Sequence, residues 1–138
     1  MLTLVKFLHL FALMLGAAAS FGGLIVALHA KRAGTPPPPA LLAMRPFMAK
    51  LALGAIVLIW LTGLWLFFGW NPGAALSVIF HLKLLAAAAL FLGIVVVNRQ
   101  LAKAETSSTP PPAWLQTVAR SNAALLVLAV ALAVWVFN

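Results

Sequence analysis

The sequence predicts an all-α integral membrane protein, a single four-helix transmembrane bundle over residues 1–138, and three observations predict it. Of the 138 residues, 65% are hydrophobic and 7% charged, where soluble domains carry roughly 45–50% apolar and about 25% charged residues. Four apolar stretches exceed the ~20 residues a helix needs to cross about 30 Å of hydrocarbon. No stretch alternates apolar and polar residues in the roughly ten-residue strands of an outer-membrane barrel. A mean hydropathy of +1.15 also excludes a disordered chain.

Helix 1 is expected over about residues 4–30. Lys6, the apolar run after it and Ala17-Ala18-Ala19-Ser20 also have the outline of a signal peptide, but the run continues to Leu28, which favours a retained helix. His29-Ala30-Lys31-Arg32-Ala33-Gly34 then brings charge. Thr35-Pro36-Pro37-Pro38-Pro39 follows and should hold the chain out of helix, because each proline fixes φ and removes an amide donor. Helix 2 is expected over about 46–70, with Pro46 in its first turn, where a missing N–H costs nothing. Asn71-Pro72-Gly73 predicts a tight turn, so helices 2 and 3 form an antiparallel pair. Helix 3 is expected over about 74–101. Thr106-Ser107-Ser108-Thr109-Pro110-Pro111-Pro112 is a polar connection into helix 4, at about 113–137.

The formal net charge is +8, with Glu105 the sole acid. The basic residues stand at the ends of the apolar runs rather than in a nucleic-acid-binding patch. Lys31, Arg32, Arg45 and Lys50 surround the first proline segment, and Arg99, Lys103 and Arg120 the second; the positive-inside rule puts both in the cytoplasm and both termini outside. The expected setting is a bacterial-type inner membrane, with the lipid bilayer as one partner and nucleic acid excluded. Trp70 and Trp135 then mark the outer boundary and Trp114 the inner one. Thr35-Pro-Pro-Pro-Pro-Ala40 resembles Thr109-Pro-Pro-Pro-Ala113, and Phe7-Leu8-His9-Leu10 resembles Ile79-Phe80-His81-Leu82. The two hairpins therefore read as parallel repeats related by an axis along the membrane normal.

Without cysteine, thiolate chemistry and disulfides are absent, so any redox chemistry requires a bound cofactor. Ionisable groups within the bilayer are functional candidates by default. His9 and His81 fall at one depth on two helices running in the same direction, which suits axial ligation of a haem iron; the alternative is a hydrogen bond to a neighbouring helix. Small residues at Ala12, Gly16 and Ser20 and over Ala86–Ala89 and Gly93 give room between backbones, though such residues also serve ordinary helix packing. Lys83 points away from His81 and either snorkels to headgroups or pairs with an anionic substrate or propionate. Lys6, one turn before His9, suits propionate anchoring. Arg45 and Arg120 fall at one end of the bundle, where they could hold a carboxylated ligand. Met14, Met44 and Met48 are candidate soft-metal ligands or packing residues. His29 is expected at the interface. Nothing resembles a catalytic triad, a phosphate loop or a carboxylate pair.

The first-helix Val5-Lys6-Phe7-Leu8-His9, the Leu61-Thr62-Gly63-Leu64-Trp65-Leu66 ending of helix 2, Asn71-Pro72-Gly73 and the helix-3 opening His81-Leu82-Lys83-Leu84 together resemble the HemJ-type protoporphyrinogen oxidase family. The related copper-resistance D-type membrane domains share this layout. The resemblance implies an oligomeric haem b protein of the inner membrane, a homo-oligomer or a subunit of a membrane complex, that oxidises protoporphyrinogen IX to protoporphyrin IX and passes electrons towards the respiratory chain. On it, His9 is a haem ligand, while His81 and Lys83 are site residues; with the positional readings above, the candidate set is His9, His81 and Lys6 for the cofactor, His9 and His81 for its metal, and Lys83 for catalysis. Phe21-Gly22-Gly23-Leu24 stands where the family has an arginine, and Asn122-Ala123 where it has Asn-Glu, so haem binding without the oxidase reaction fits the sequence as well. Two further readings stand beside it: a non-catalytic helical subunit of a larger membrane complex, and a copper-handling protein using His and Met ligands.

Overall fold

The computed structural model describes residues 1–36, 38–70 and 78–136, the side chains of Trp70 and Val136 excepted. They form four helices, α1 (Leu2–Ala33), α2 (Pro39–Trp70), α3 (Val78–Ser107) and α4 (Trp114–Val136), with no strand among the described residues. All four are long and apolar enough to cross a membrane. The protein is a multi-pass membrane protein. The expected tight turn at Asn71-Pro72-Gly73, the expected helix-3 start at Ala74 and Phe137 lie outside the described residues.

Two helix boundaries differ from expectation, each for a local reason. Helix 2 starts at Pro39 rather than Pro46. The last proline of the run occupies the first helical position, where its fixed φ suits the helix and its missing N–H leaves nothing unpaired. The Pro38 carbonyl then accepts from Leu41 N at 2.9 Å and Leu42 N at 3.2 Å. Pro46 consequently lies inside the helix, where it leaves the Leu42 carbonyl without its usual donor. Helix 3 continues past Leu101 to Ser107. In its last turn, Thr106 Oγ1 donates to Lys103 O at 3.0 Å and Ser107 Oγ to the same oxygen at 2.7 Å, so both hydroxyls are spent on the helix's own backbone. Helix 1 ends as its sequence indicates: Gly34 adopts φ 63° in a left-handed cap, and Lys31 and Arg32 complement the negative end of the helix dipole.

The helices pack as two hairpins, α1 against α2 and α3 against α4. These join along the α2–α3 and α1–α4 seams, while the diagonal pairs α1–α3 and α2–α4 make no backbone contact. Inside, the packing is by small and aliphatic residues, with Ala19, Ala52, Ile56, Leu90, Ile94 and Leu126 forming the central cluster. This is how membrane helices associate when lipid is as apolar as the core: close backbone approach and dispersion replace the hydrophobic drive. At Gly16, α1 comes so near α2 that an added Cβ would meet Ala55 Cβ at 3.5 Å. Outside, Phe7, Leu10, Met14, Phe68, Leu85 and Leu92 are exposed, as lipid contact requires. Trp114 and Trp135, at opposite ends of α4, are exposed as well.

One polar clamp ties the hairpins together. Asn98 on α3 donates from Nδ2 to the Ala49 carbonyl of α2 at 2.8 Å and to its own Ile94 carbonyl at 3.0 Å. Interhelical hydrogen bonds in membranes average about 0.6 kcal/mol, with a maximum near 1.7. Asn98→Ala is accordingly expected to lower the stability of the detergent-solubilised protein by about 0.6–1.7 kcal/mol, read from its unfolding in mixed micelles of increasing sodium dodecyl sulfate. An unchanged transition would show that the bond contributes nothing beyond what the unfolded helices find elsewhere.

Candidate functional site

The start of α1, the end of α2 and the start of α3 meet at the end of the bundle away from the proline segments. His9 lies seven residues into α1, ~10 Å along the helix at 1.5 Å per residue. The spacing of buried Ala12, Gly16 and Ala19 puts His9 on the side of α1 turned towards α2. There the ring lies over Gly63, where an added Cβ would be 3.5 Å from His9 Cε1. Its Nδ1 is 2.8 Å from Oγ1 of Thr62, a residue buried to 6% exposure.

The direction of that hydrogen bond follows from counting protons. A threonine hydroxyl has one proton to give and two lone pairs to receive. Thr62 Oγ1 lies 2.6 Å from the Leu58 carbonyl and 3.2 Å from the Ile59 carbonyl, so its proton is directed at the backbone of its own helix. Towards His9 it accepts, and His9 Nδ1 carries the hydrogen. In the neutral ring the lone pair is then on Nε2. Metal-bound histidines characteristically show this arrangement, one ring nitrogen donating to a protein oxygen and the other kept for the metal.

The interior stripe of α3 runs through Ala86, Leu90 and Ile94, and its periodicity sorts the two polar residues at the start of the helix. Lys83 stands three residues before Ala86, on the same stripe, and is half-buried. His81 stands nine residues before Leu90, half a turn round at about 100° per residue, and is exposed. Phe80, beside it, stacks on Phe67 of α2 with centroids 5.0 Å apart.

The structure thus brings His9 and Lys83 to one end of the interior, together with Thr62. It does not bring His9 and His81 together, since they occupy diagonal helices and His81 faces away from the core. Lys6 is on the exposed side of α1, one turn before His9. Among the described residues, no group of three or more His, Cys, Asp or Glu could hold a metal ion. His29 is exposed within the last turns of α1, and Met14 and Met44 are exposed as well. Thr62 is a site residue that sequence reasoning missed as His9's partner. It carries the one hydroxyl in α2, and that solitary polar group in an apolar span was the available signal.

At the opposite end, two cavities adjoin. An inner one of about 110 Å³ lies among all four helices and is lined by Ser20, Arg45, Asn98, Gln116 and Asn122 between apolar residues. An outer one of about 230 Å³ is bounded by Val26, Leu42, Arg45, Pro111, Pro112 and Gln116. Arg45 and Gln116 line both, whereas Arg120 is exposed and lines neither. No family model matches the chain, and neither a curated protein nor a solved structure matches it.

Proposed function

We propose that this protein binds haem b in the membrane through His9, as part of haem metabolism or electron transfer, with oxidation of protoporphyrinogen IX to protoporphyrin IX as the most concrete activity. The observation that carries the reading is the Thr62–His9 hydrogen bond, which leaves an imidazole lone pair at Nε2 within an apolar bundle. His9 would be the residue that holds the haem. His81 faces out of the bundle and does not share this position with His9.

When bound, haem supplies the one-electron redox chemistry that the side chains lack. His9 would hold the haem iron, and Thr62 would keep that ring in one tautomer. Lys83 contributes a cation on the interior side of α3, facing an anionic group in a setting where charge is poorly screened. For a tetrapyrrole that group is a carboxylate of the side chains. Lys6 offers a second cation, exposed on α1 one turn before His9.

The test is an absorption spectrum of the detergent-purified protein from haem-sufficient cells, oxidised and then reduced with dithionite. A Soret band with α and β bands on reduction is the expected result, and it justifies an assay with protoporphyrinogen. Absence of any Soret band, including after reconstitution with haemin, overturns the reading.

A further inference from the structure

Arg45 poses a charge-balance problem that the rest of the chain does not solve. It is half-buried, and its guanidinium remains charged at any physiological pH. Glu105 is the chain's sole acidic side chain. It is exposed on the last turns of α3, and no carboxylate pairs with Arg45 among the described residues. A partly buried cation is favoured by an opposite charge or a wet cavity beside it, and Arg45 lines both cavities at this end.

The neighbouring amides point the same way. Asn122 is 7% exposed, lines the inner cavity, and makes no side-chain hydrogen bond among the described residues. Its amide borders the cavity, where it has hydrogen-bonding capacity to offer a ligand. Asn98 spends its amide hydrogens on Ala49 and Ile94 and turns only an acceptor towards this space. Gln116 stands where the cavities meet. One fixed cation with two neutral amide donors is an oxyanion-binding set. Around it the walls are Val26, Leu42, Met48, Ile94 and Val97, which suit hydrocarbon. The cavities of about 230 and 110 Å³ are each smaller than the roughly 300–1,000 Å³ of small-molecule sites and reach that range only when joined.

We propose that the end of the bundle between the two proline segments binds the acid group of an anionic amphiphile, with Arg45 as its counter-charge and Gln116 and Asn122 as neutral donors. The ligand is an oxyanion carried on a hydrocarbon chain, either a membrane phosphodiester lipid or a free long-chain carboxylate. Ser20 at the inner end and His9 are separated by ~16 Å of helix, so this site stands independently of haem at His9.

The full-length protein in neutral detergent would be incubated separately with phosphatidylglycerol, phosphatidylcholine and sodium laurate, and its retained adducts counted by native mass spectrometry. The expected result is one retained equivalent of an anionic probe and none of phosphatidylcholine. Retention of phosphatidylglycerol identifies a lipid headgroup; retention of laurate alone identifies a free acid. Arg45→Gln should lower retention about tenfold, the scale of one lost charge-assisted hydrogen bond. Arg120→Gln removes the same charge from an exposed position at the same end and should leave retention unchanged. Gln116→Leu keeps every charge while removing a donor between the cavities; it should also lower retention, and it carries the test if Arg45→Gln fails to fold. Equal retention of phosphatidylcholine, equal losses in the two arginine variants, or wild-type retention in Gln116→Leu would overturn the proposal.

Discussion

Thr62→Val is expected to weaken haem binding by about 10–100-fold, the usual effect of removing the outer partner of a metal-bound histidine, while His9→Ala removes the Soret band altogether. Valine matches threonine in shape but cannot accept from His9 Nδ1, so the ring would be free to turn its donor elsewhere or to move its proton to Nε2, the nitrogen the iron needs. Thr62→Ser keeps the acceptor and should bind haem nearly as the wild type does. His81→Ala should retain the band, because His81 lies on the face of α3 away from the core. Haemin titrations followed at the Soret maximum test all four. A measurement without haem tests the premise directly: imidazole ¹⁵N chemical shifts of the apoprotein should show His9 as the Nδ1–H tautomer in the wild type and a mixture in Thr62→Val. If the valine variant binds haem with wild-type affinity, Thr62 does not position His9; if His9→Ala keeps its Soret band, His9 is not the ligand.

What the sequence disclosed and what it concealed divide along a physical line. Helix number and membrane character are legible because they depend on summed hydropathy over some twenty residues, which no local detail overturns. Boundaries depend on one or two residues: proline at a helix start looks the same in sequence as proline in a loop, and hydroxyls that prolong α3 at Thr106 and Ser107 look like a polar linker. The faces of the helices were hidden for another reason. A helix that is apolar all round has no polar side to mark which way it turns, so nothing local distinguishes inward Lys83 from outward His81 until Ala86, Leu90 and Ile94 are seen to be buried. The His9–Thr62 pair spans 53 residues of sequence and follows only once α1 is known to pack on α2. The cavity at Arg45 takes residues from all four helices, and no single segment announces it.

Gly93 is the position where the smallest substitution should do the most damage to packing. An added Cβ there would fall inside van der Waals contact of Asn122 Oδ1, 2.9 Å from its Cγ and 3.0 Å from its Nδ2. Glycine leaves room for the Asn122 side chain of α4 against α3, and an alanine here makes that amide shift. Gly93→Ala is therefore expected to destabilise the protein by about 1–3 kcal/mol, the range for overpacking a filled site. Alanine is otherwise the better helix former by roughly 0.5–1 kcal/mol, and that preference should show at Gly16, where the added Cβ meets only Ala55 at 3.5 Å. Gly16→Ala should be neutral or mildly stabilising. Unfolding of the purified variants in mixed micelles measures both, and the double variant Gly93→Ala/Asn122→Ala should recover most of the loss if Asn122 is its cause. Without such recovery, the contact between the two residues is not what holds α3 and α4 at their spacing. The direction in which Asn122 yields also matters: it lines the inner cavity beside Gln116, so a methyl group on Gly93 that displaces the amide into that space should reduce retention of the anionic probe along with stability. Gly93 would then set both the distance between two helices and the shape of the site at Arg45.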